Sequence, residues 1–511
     1  MNRNAVIADQ AGFSFAGYLF GQVARFGYNL VVARLLGVEA LGVYALAIAI
    51  IQIAEVIALA GLDSAILRFV NLYSNDALRQ KMAIASALKT ALMLSFFVML
   101  VLMLFSGDLA SLLNGRGFDG TMNDRVNDSR LLQLTLCCYA AAIPFNVATV
   151  LFGHVTQSVK QLKPKIIATQ ILSPLLLLLL TILFRYTAGA DAALFFPFAL
   201  AGIGAFLWIR PSLARISGVL PADILHACTD KAMLAYALPF MVVSLLSMMS
   251  HWLDVMMLGM LTDTATVGLY HPAARTAGLI RSVLLAFAGI AAPMIADLHA
   301  QHQTAEIGRI YKMVTRWIVV VVLPPAILFI ALPEQVLAVF GARFATGGTI
   351  ALLLLTAASF LQACFGLSST VLAMTGYARL SLFNALGALA LQVVLNLLLI
   401  PRMGLNGAAL ATLMLFALLS TLRLVEIRHL LKIHPFGKAL WKPVVAGLLS
   451  ALLLLAAREW LLTIPTFAGL TAGALLVVCS YVFILLVLKL EEDEREIILK
   501  YLPFFDKELK R

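Results

Sequence analysis

The chain has 511 residues, of which 62% are apolar and 12% charged, and a formal net charge of +11. A typical soluble domain is nearer half apolar and a quarter charged, so a water-soluble globule has too little polar surface here to cover its core. The lysines and arginines stand singly between apolar stretches and build no basic domain, which excludes nucleic acid as a partner.

Those stretches each run to about 20 residues, the length at which a helix rising about 1.5 Å per residue crosses a hydrocarbon core of roughly 30 Å. The expected fold class is therefore an all-α polytopic membrane protein. The first ten residues are polar, and the apolar segment after them carries Gln22 and Arg25 with no clear small-residue cleavage site, so it reads as a retained first span. In chain order, helix centres fall at about positions 23, 51, 94, 142, 175, 200, 244, 282, 325, 360, 391, 413, 449 and 478, which predicts about fourteen spans. The longest external loop, from about Gly107 to Arg130, holds Asn-Gly, Asp-Gly and Asn-Asp turn signals and no strand pattern, leaving no room for a soluble catalytic domain. Acidic, apolar and basic residues mix around Pro503 from Glu491 to Arg511, as either a short interfacial helix or a solvated tail.

An even number of spans puts both termini on one side. Assigned to alternate loops, 25 lysines and arginines fall on the face of the termini, among them Arg68, Lys165 and Arg316, and eight on the other. The positive face is expected to be cytoplasmic. Arg25, Lys89, Arg275 and Arg281 remain inside predicted spans. The five cysteines (Cys137, Cys138, Cys228, Cys364 and Cys479) are odd in number and lack metal-ligand or CxxC spacing, so they read as packing residues.

An internal repeat divides the helices. LLGVEALGVYALA (Leu35 to Ala47) is answered by MLTDTATVGLYHPAA (Met260 to Ala274), with Gly42 and Tyr44 matching Gly268 and Tyr270 at an offset of 226 residues. A second, weaker match, Leu151 onward against Val371 onward, has an offset of 220. Six helices per unit would give two parallel repeats. The expected organisation is an N-terminal lobe (1–215), a C-terminal lobe (216–430), an additional helix pair (431–490) and a cytoplasmic tail (491–511).

LVVARLLGVEALGVYALA (Leu30 to Ala47), GLDSAILRFV (Gly61 to Val70) and LDVMMLGMLTDTATVGLYHPAAR (Leu253 to Arg275) resemble the polysaccharide-flippase branch of the multidrug/oligosaccharidyl-lipid/polysaccharide exporter superfamily. The resemblance implies a V-shaped pair of six-helix lobes around an alternating-access cavity. It also implies transport of an undecaprenyl-diphosphate-linked oligosaccharide from the cytoplasmic to the periplasmic leaflet of the bacterial inner membrane, for cell-surface polysaccharide biosynthesis such as that of lipopolysaccharide. The implied partners are the lipid-linked oligosaccharide, membrane lipids, a polysaccharide polymerase and glycosyltransferases. No cofactor is expected. The pair of helices beyond twelve resembles that of lipid II flippases, where it helps form a lipid-facing groove.

A charge in mid-membrane costs about 2.5 to 3.5 kcal/mol on insertion scales, so it normally faces a cavity or a partner. On the first helix Tyr18, Gln22, Arg25 and Asn29 follow steps of three and four and form one polar stripe. His271 and Arg275 stand one turn apart on the eighth helix. Planar guanidinium donors suit the phosphate oxygens of a diphosphate, so Arg25, Gln22, Asn29, Arg275 and His271 are the expected cavity residues. The alternative for Arg25 is a structural carboxylate partner such as Glu55 or Asp254. Glu55, His251 and Asp254 are candidates for proton or sodium coupling or, more commonly for such residues, for counter-ions. Lys89 and Arg281 read as residues that snorkel to a boundary. Asn384, Gln392 and Asn396 share a face that either binds sugar hydroxyls or joins helices. Prolines within or beside spans, Pro144, Pro174, Pro239 and Pro272 among them, either kink the helices or are simply tolerated.

No Walker A, GxSxG or HExxH sequence and no cluster of acidic metal ligands is present, so neither an enzyme nor a metal site is expected. Two rival functions stay open: a cation-coupled multidrug exporter of the same superfamily, which would need an acidic cavity, and a membrane-embedded glycosyltransferase or polymerase.

Overall fold

A computed structural model describes residues 3–114 and 122–488, and all regular structure among them is helical. The chain runs through α1 (Arg3–Leu36), α2 (Val38–Leu59), α3 (Leu62–Leu72), α4 (Ala77–Leu104), α5 (Ser106–Leu113), α6 (Met122–Ala140), α7 (Ile143–Ser158) and α8 (Lys163–Ile166). A wide π-helical turn (Ile167–Leu172) leads into α9 (Ser173–Thr187), followed by α10 (Ala190–Ser217), α11 (Pro221–His226), α12 (Lys231–Leu261) and α13 (Thr264–Ala300). Then come α14 (Thr304–Ala331), α15 (Pro333–Ala338), α16 (Ala342–Phe365), α17 (Leu367–Met374), α18 (Ala378–Met403), α19 (Leu405–Leu430), α20 (Trp441–Thr463) and α21 (Thr466–Val487).

Among the described residues, twelve helical stretches are long and apolar enough to cross a membrane. A thirteenth results if α6 and α7, bent by 41° at their junction, count as one crossing. The expected fourteenth is α1, which has the length at 34 residues but fails on composition. Gln22, Arg25, Asn29 and several glycines dilute its apolar character. The loop expected from about Gly107 to Arg130 is flanked by helix instead, with α5 before it and α6 running from Met122. Residues 115–121 and the expected cytoplasmic tail from Glu491 to Arg511 lie outside the described residues.

Two compact units divide the described residues, the first within Met1–His271 and Ile400–Leu405, the second within Pro272–Leu399 and Asn406–Arg511. The boundary falls inside α13. The expected lobe boundary at residues 215 and 216 is a different partition, because a repeat is a property of the chain and a compact unit one of its packing.

The spine of the first unit is α2. Every residue from Leu41 to Ile51 is buried, as expected of a helix surrounded by others, and α4, α6, α7 and α12 pack around it. Ala60 and Gly61 both take left-handed backbone angles and break α2 from α3. Gly61 is required there twice over, since its φ is +72° and a Cβ would stand 2.2 Å from the carbonyl oxygen of Ala237 on α12. The glycines of the repeat also find a physical meaning. A Cβ on Gly42 would stand 1.8 Å from the Thr264 carbonyl oxygen, and one on Gly268 would stand 2.0 Å from that of Val38. Val38 and Thr264 are separated by the same 226 residues as the two glycines. The crossing of α2 and α13 is thus reciprocal, each glycine seated on the carbonyl one turn before its counterpart, at a distance no other residue permits.

In the second unit α14 is the spine, packed by α16, α20 and α21. The C-terminal pair seats Leu454, Leu461 and Val477 against Ile327, Ala331 and Leu332. The side-chain amide of Gln335 donates to the carbonyl of Leu461 at 3.1 Å and ties α15 to the end of α20. Some cations assigned to loops lie in helices: Arg68 on α3, and Arg316 on α14, where it is only 9% exposed. At 28 residues α14 is about 42 Å long, well beyond the hydrocarbon thickness, so hydropathy alone places its ends badly.

Candidate functional site

The polar stripe of α1 meets the π-helical turn before α9. Gly17 and Gly21 let the helices close: a Cβ on Gly17 would strike the Ile166 side chain, and one on Gly21 would stand 2.7 Å from the backbone oxygen of Gln170 and 2.8 Å from its Oε1. Into this slot Arg25 donates from Nη2 to Gln170 Oε1 at 2.6 Å. The π turn has a local cause. Pro174 has no N–H to offer the carbonyl of Gln170 four residues earlier, so the regular ladder is interrupted there, and Ser173 instead donates to the carbonyl of Ala168 across five residues. Half-buried Arg25 takes a neutral amide as its partner, and no carboxylate forms an ion pair with it among the described residues.

The rest of the stripe divides. Gln22, half-buried, donates to the Tyr18 hydroxyl at 2.7 Å. Asn29 donates to the backbone oxygen of Arg25 at 2.7 Å and accepts from Nε2 of His271 at 3.0 Å. Asn29 is 5% exposed and His271 1%, so the structure buries them against each other. An aromatic box surrounds His271. The Trp252 ring lies parallel to it with centroids 6.2 Å apart, and the Tyr44 ring stands edge-on at 6.1 Å. Trp252 in turn donates from Nε1 to Gln52 Oε1 at 3.0 Å, and Tyr28 packs edge-on against Tyr44.

The acidic candidates sit elsewhere. Glu55 accepts from Asn146 Nδ2 at 2.7 Å, and Gly202 makes room for that asparagine, since a Cβ there would stand 2.4 Å from its Oδ1. Asp254 accepts from the Tyr270 hydroxyl at 3.3 Å, and exposed His251 packs edge-on against Trp252. Neither carboxylate is the partner of Arg25. In the second unit Arg275 is half-buried on α13, and Arg281 lies 5.9 Å from the ring of Phe416. Asn384 donates to Glu426 at 2.7 Å, joining α18 to α19, while Gln392 and Asn396 are buried on the same face of α18. Lys89 donates to the carbonyls of Leu225 and Ala227 at the end of α11, so it holds the linker between α10 and α12.

Sequence reasoning missed Gln170, Asn146 and Gln52, each a polar residue alone in an apolar run. It also missed a basic cluster in which Lys165 donates to Gln157 at 2.6 Å and meets Nε2 of His154 at 3.1 Å. For Gln170 a signal existed: Pro174 four residues downstream frees its carbonyl in mid-helix.

The family of polysaccharide biosynthesis proteins matches residues 7–299, more than half the chain and all of the first unit's continuous segment from residue 7. The chain belongs to that family. Among solved structures, this polysaccharide biosynthesis protein is similar to the lipid II flippase MurJ in an inward closed conformation, at 14% identity and a TM-score of 0.74 over 92% of this chain and 97% of that one. It is similar to an inward-facing multidrug resistance MATE transporter of the MOP superfamily, at 16% identity and a TM-score of 0.68 over 80% and 94%. It also resembles a MOP superfamily transporter from Pyrococcus furiosus with a reversed polarity of the binding pocket, at 16% identity and a TM-score of 0.57 over 84% and 95%. No curated protein sequence matches. The protein is a multi-pass membrane protein of the polysaccharide biosynthesis family, with a fold similar to that of these transporters.

Proposed function

We propose that this protein flips an undecaprenyl-diphosphate-linked oligosaccharide from the cytoplasmic to the periplasmic leaflet of the bacterial inner membrane, in the assembly of a cell-surface polysaccharide. The observation that carries this reading is Arg25, a guanidinium on α1, the helix expected from the sequence to be the first span, whose bonded partner is the neutral amide of Gln170. A cation placed in mid-membrane without a carboxylate is costly unless a mobile anion completes it. Arg25 meets the diphosphate, with Gln22 beside it for the polar headgroup, Arg275 is a further candidate cation for the cargo, and the polyprenyl tail stays in lipid. The two repeats alternate access to the two faces. A potential negative inside favours outward movement of the anion by about 2.3 kcal/mol per charge per 100 mV, so proton or sodium antiport through Glu55 or Asp254 is an addition to the mechanism, not a requirement. Both termini lie in the cytoplasm on this reading, and a polymerase and glycosyltransferases are the partners that supply and consume the cargo.

The test is flipping of a fluorescent prenyl-diphosphate-linked oligosaccharide in vesicles reconstituted with the full chain. Arg25→Ala and Arg275→Ala should each slow flipping on the order of tenfold or more, the worth of a lost charge-assisted hydrogen bond. Unchanged flipping in both variants refutes the reading. The likeness to MATE transporters favours one rival, a cation-coupled drug exporter. Extrusion of a cationic dye by the wild type, abolished by Glu55→Gln, would replace the flippase reading with it.

A further inference from the structure

The geometry points to Gln170 as the positioning residue of the anion site: its neutral hydrogen bond aims the Arg25 guanidinium while leaving the whole of its charge to a phosphate of the cargo. This rests on the reading of Arg25 given above and adds the device that makes it work. Three features build that device, two on α1 and one at the start of α9. Gly21, one turn before Arg25, leaves the space in which amide and guanidinium meet, because a Cβ there would stand within 3.1 Å of Gln170 O, Gln170 Oε1 and Arg25 Nη2 alike. Pro174 interrupts the helix ladder at the Gln170 carbonyl and sets the π turn that carries the side chain. Asn29, one turn beyond Arg25, donates to the Arg25 backbone oxygen and fixes that turn of α1.

The chemistry follows from the partner's charge. A carboxylate at position 170 would hold the guanidinium as firmly or more so, but as a bidentate ion pair it would occupy the donors and neutralise the charge that a phosphate needs. A glutamine accepts one N–H and contributes no charge. Of the five N–H donors of the guanidinium, the bond to Gln170 takes one on Nη2, and the others stay available for the planar, two-point recognition that phosphate oxygens allow. Glu55 accepts from Asn146 and Asp254 from Tyr270, and among the described residues no carboxylate forms an ion pair with this cation.

A purely structural role for Gln170 and a positioning role make opposite demands on Gln170→Glu. The full chain, purified in lipid nanodiscs, is titrated with inorganic pyrophosphate by calorimetry, and its thermal unfolding is followed in parallel. Gln170→Glu should unfold at the wild-type temperature or above it, yet bind pyrophosphate about tenfold more weakly, as expected when one charge-assisted bond is lost to an internal pair. Gln170→Ala should lose affinity by a smaller factor and unfold earlier. Gln170→Glu binding as well as wild type, or affinities that simply follow the unfolding temperatures, overturns the positioning role while Arg25→Ala still abolishes binding. A wild-type chain that does not bind pyrophosphate, or an Arg25→Ala variant that binds it equally well, overturns the anion reading of Arg25 and this proposal with it.

Discussion

Replacing Gly268 by alanine would place a methyl group 2.0 Å from the carbonyl oxygen of Val38, where ordinary contact begins at 3.4 Å. That oxygen belongs to the backbone of α2, whose residues from Leu41 to Ile51 are buried, so no flexible side chain can turn aside. The two helices must part by about 1.4 Å, and overpacking of this kind costs about 1–3 kcal/mol. Against this, alanine is a better helix former than glycine by about 1 kcal/mol. The net expectation is a loss of about 0–2 kcal/mol, which lowers the unfolding temperature by up to a few degrees, at roughly 2–4 °C per kcal/mol in domains of about 150–250 residues. The same helix contains its own control. A Cβ on Gly289 would meet nothing within 4 Å, so Gly289→Ala should leave stability unchanged or raise it. The reciprocal substitution Gly42→Ala should cost as much as Gly268→Ala, and the double variant should cost less than their sum, because one methyl already separates the helices. Thermal unfolding of the four variants in one detergent decides the matter. If Gly268→Ala is as stable as Gly289→Ala, or if the two crossing substitutions are strictly additive, the reciprocal crossing is not what holds α2 to α13.

Other expectations follow from single contacts. Asn146→Ala removes the donor to Glu55 and should lower stability by about 1–3 kcal/mol, with Glu55→Leu in the same chain restoring much of it, as read by thermal unfolding. Pro174→Ala returns an N–H to the Gln170 carbonyl and should straighten the π turn, keeping or raising the unfolding temperature while weakening pyrophosphate binding; full affinity in that variant would disconnect the turn from the site. Lys81 pairs with Asp223 at 2.8 Å, and its hydrogen bond to the carboxylate, with that from the Leu220 N–H, holds Asp223 below the ordinary value of 3.8. A depressed carboxylate adds stability that is complete above the ordinary value and lost as pH falls through the lowered one. Protection of the amides in the linker around α11, taken as the exchange rate relative to that of an unstructured peptide at the same pH, should therefore fall only below about pH 4, and Asp223→Asn should make that protection independent of pH there.

Reading the helices from hydropathy works because lipid imposes one requirement on every span, and the expected helix centres fall within helices of the structure, save the one at about position 142, which lies at the bent junction of α6 and α7. The same reading misplaces Arg316 and overstates the loop after α4, because a helix ends where its backbone bonds end and not where its apolar run ends. The Gly42 and Gly268 signature was visible as a pattern, yet the pattern alone does not say that the two glycines touch. Arg25 stood out as a charge in an apolar stretch, read as a cavity residue with a structural carboxylate such as Glu55 or Asp254 as the alternative partner. Its actual partner is a glutamine 145 residues away. By itself, then, the sequence determined the membrane as solvent, the helical class, the family and the presence of a cation within an apolar stretch, all of which are properties of composition, period or local order. Only the tertiary structure decided which polar groups meet, that Asn29 and His271 close on each other, and that Arg25 is aimed by a neutral amide. Those outcomes depend on helix packing across long stretches of chain, set by a missing Cβ at Gly21 and a missing N–H at Pro174, and no one-dimensional pattern encodes the distance between them.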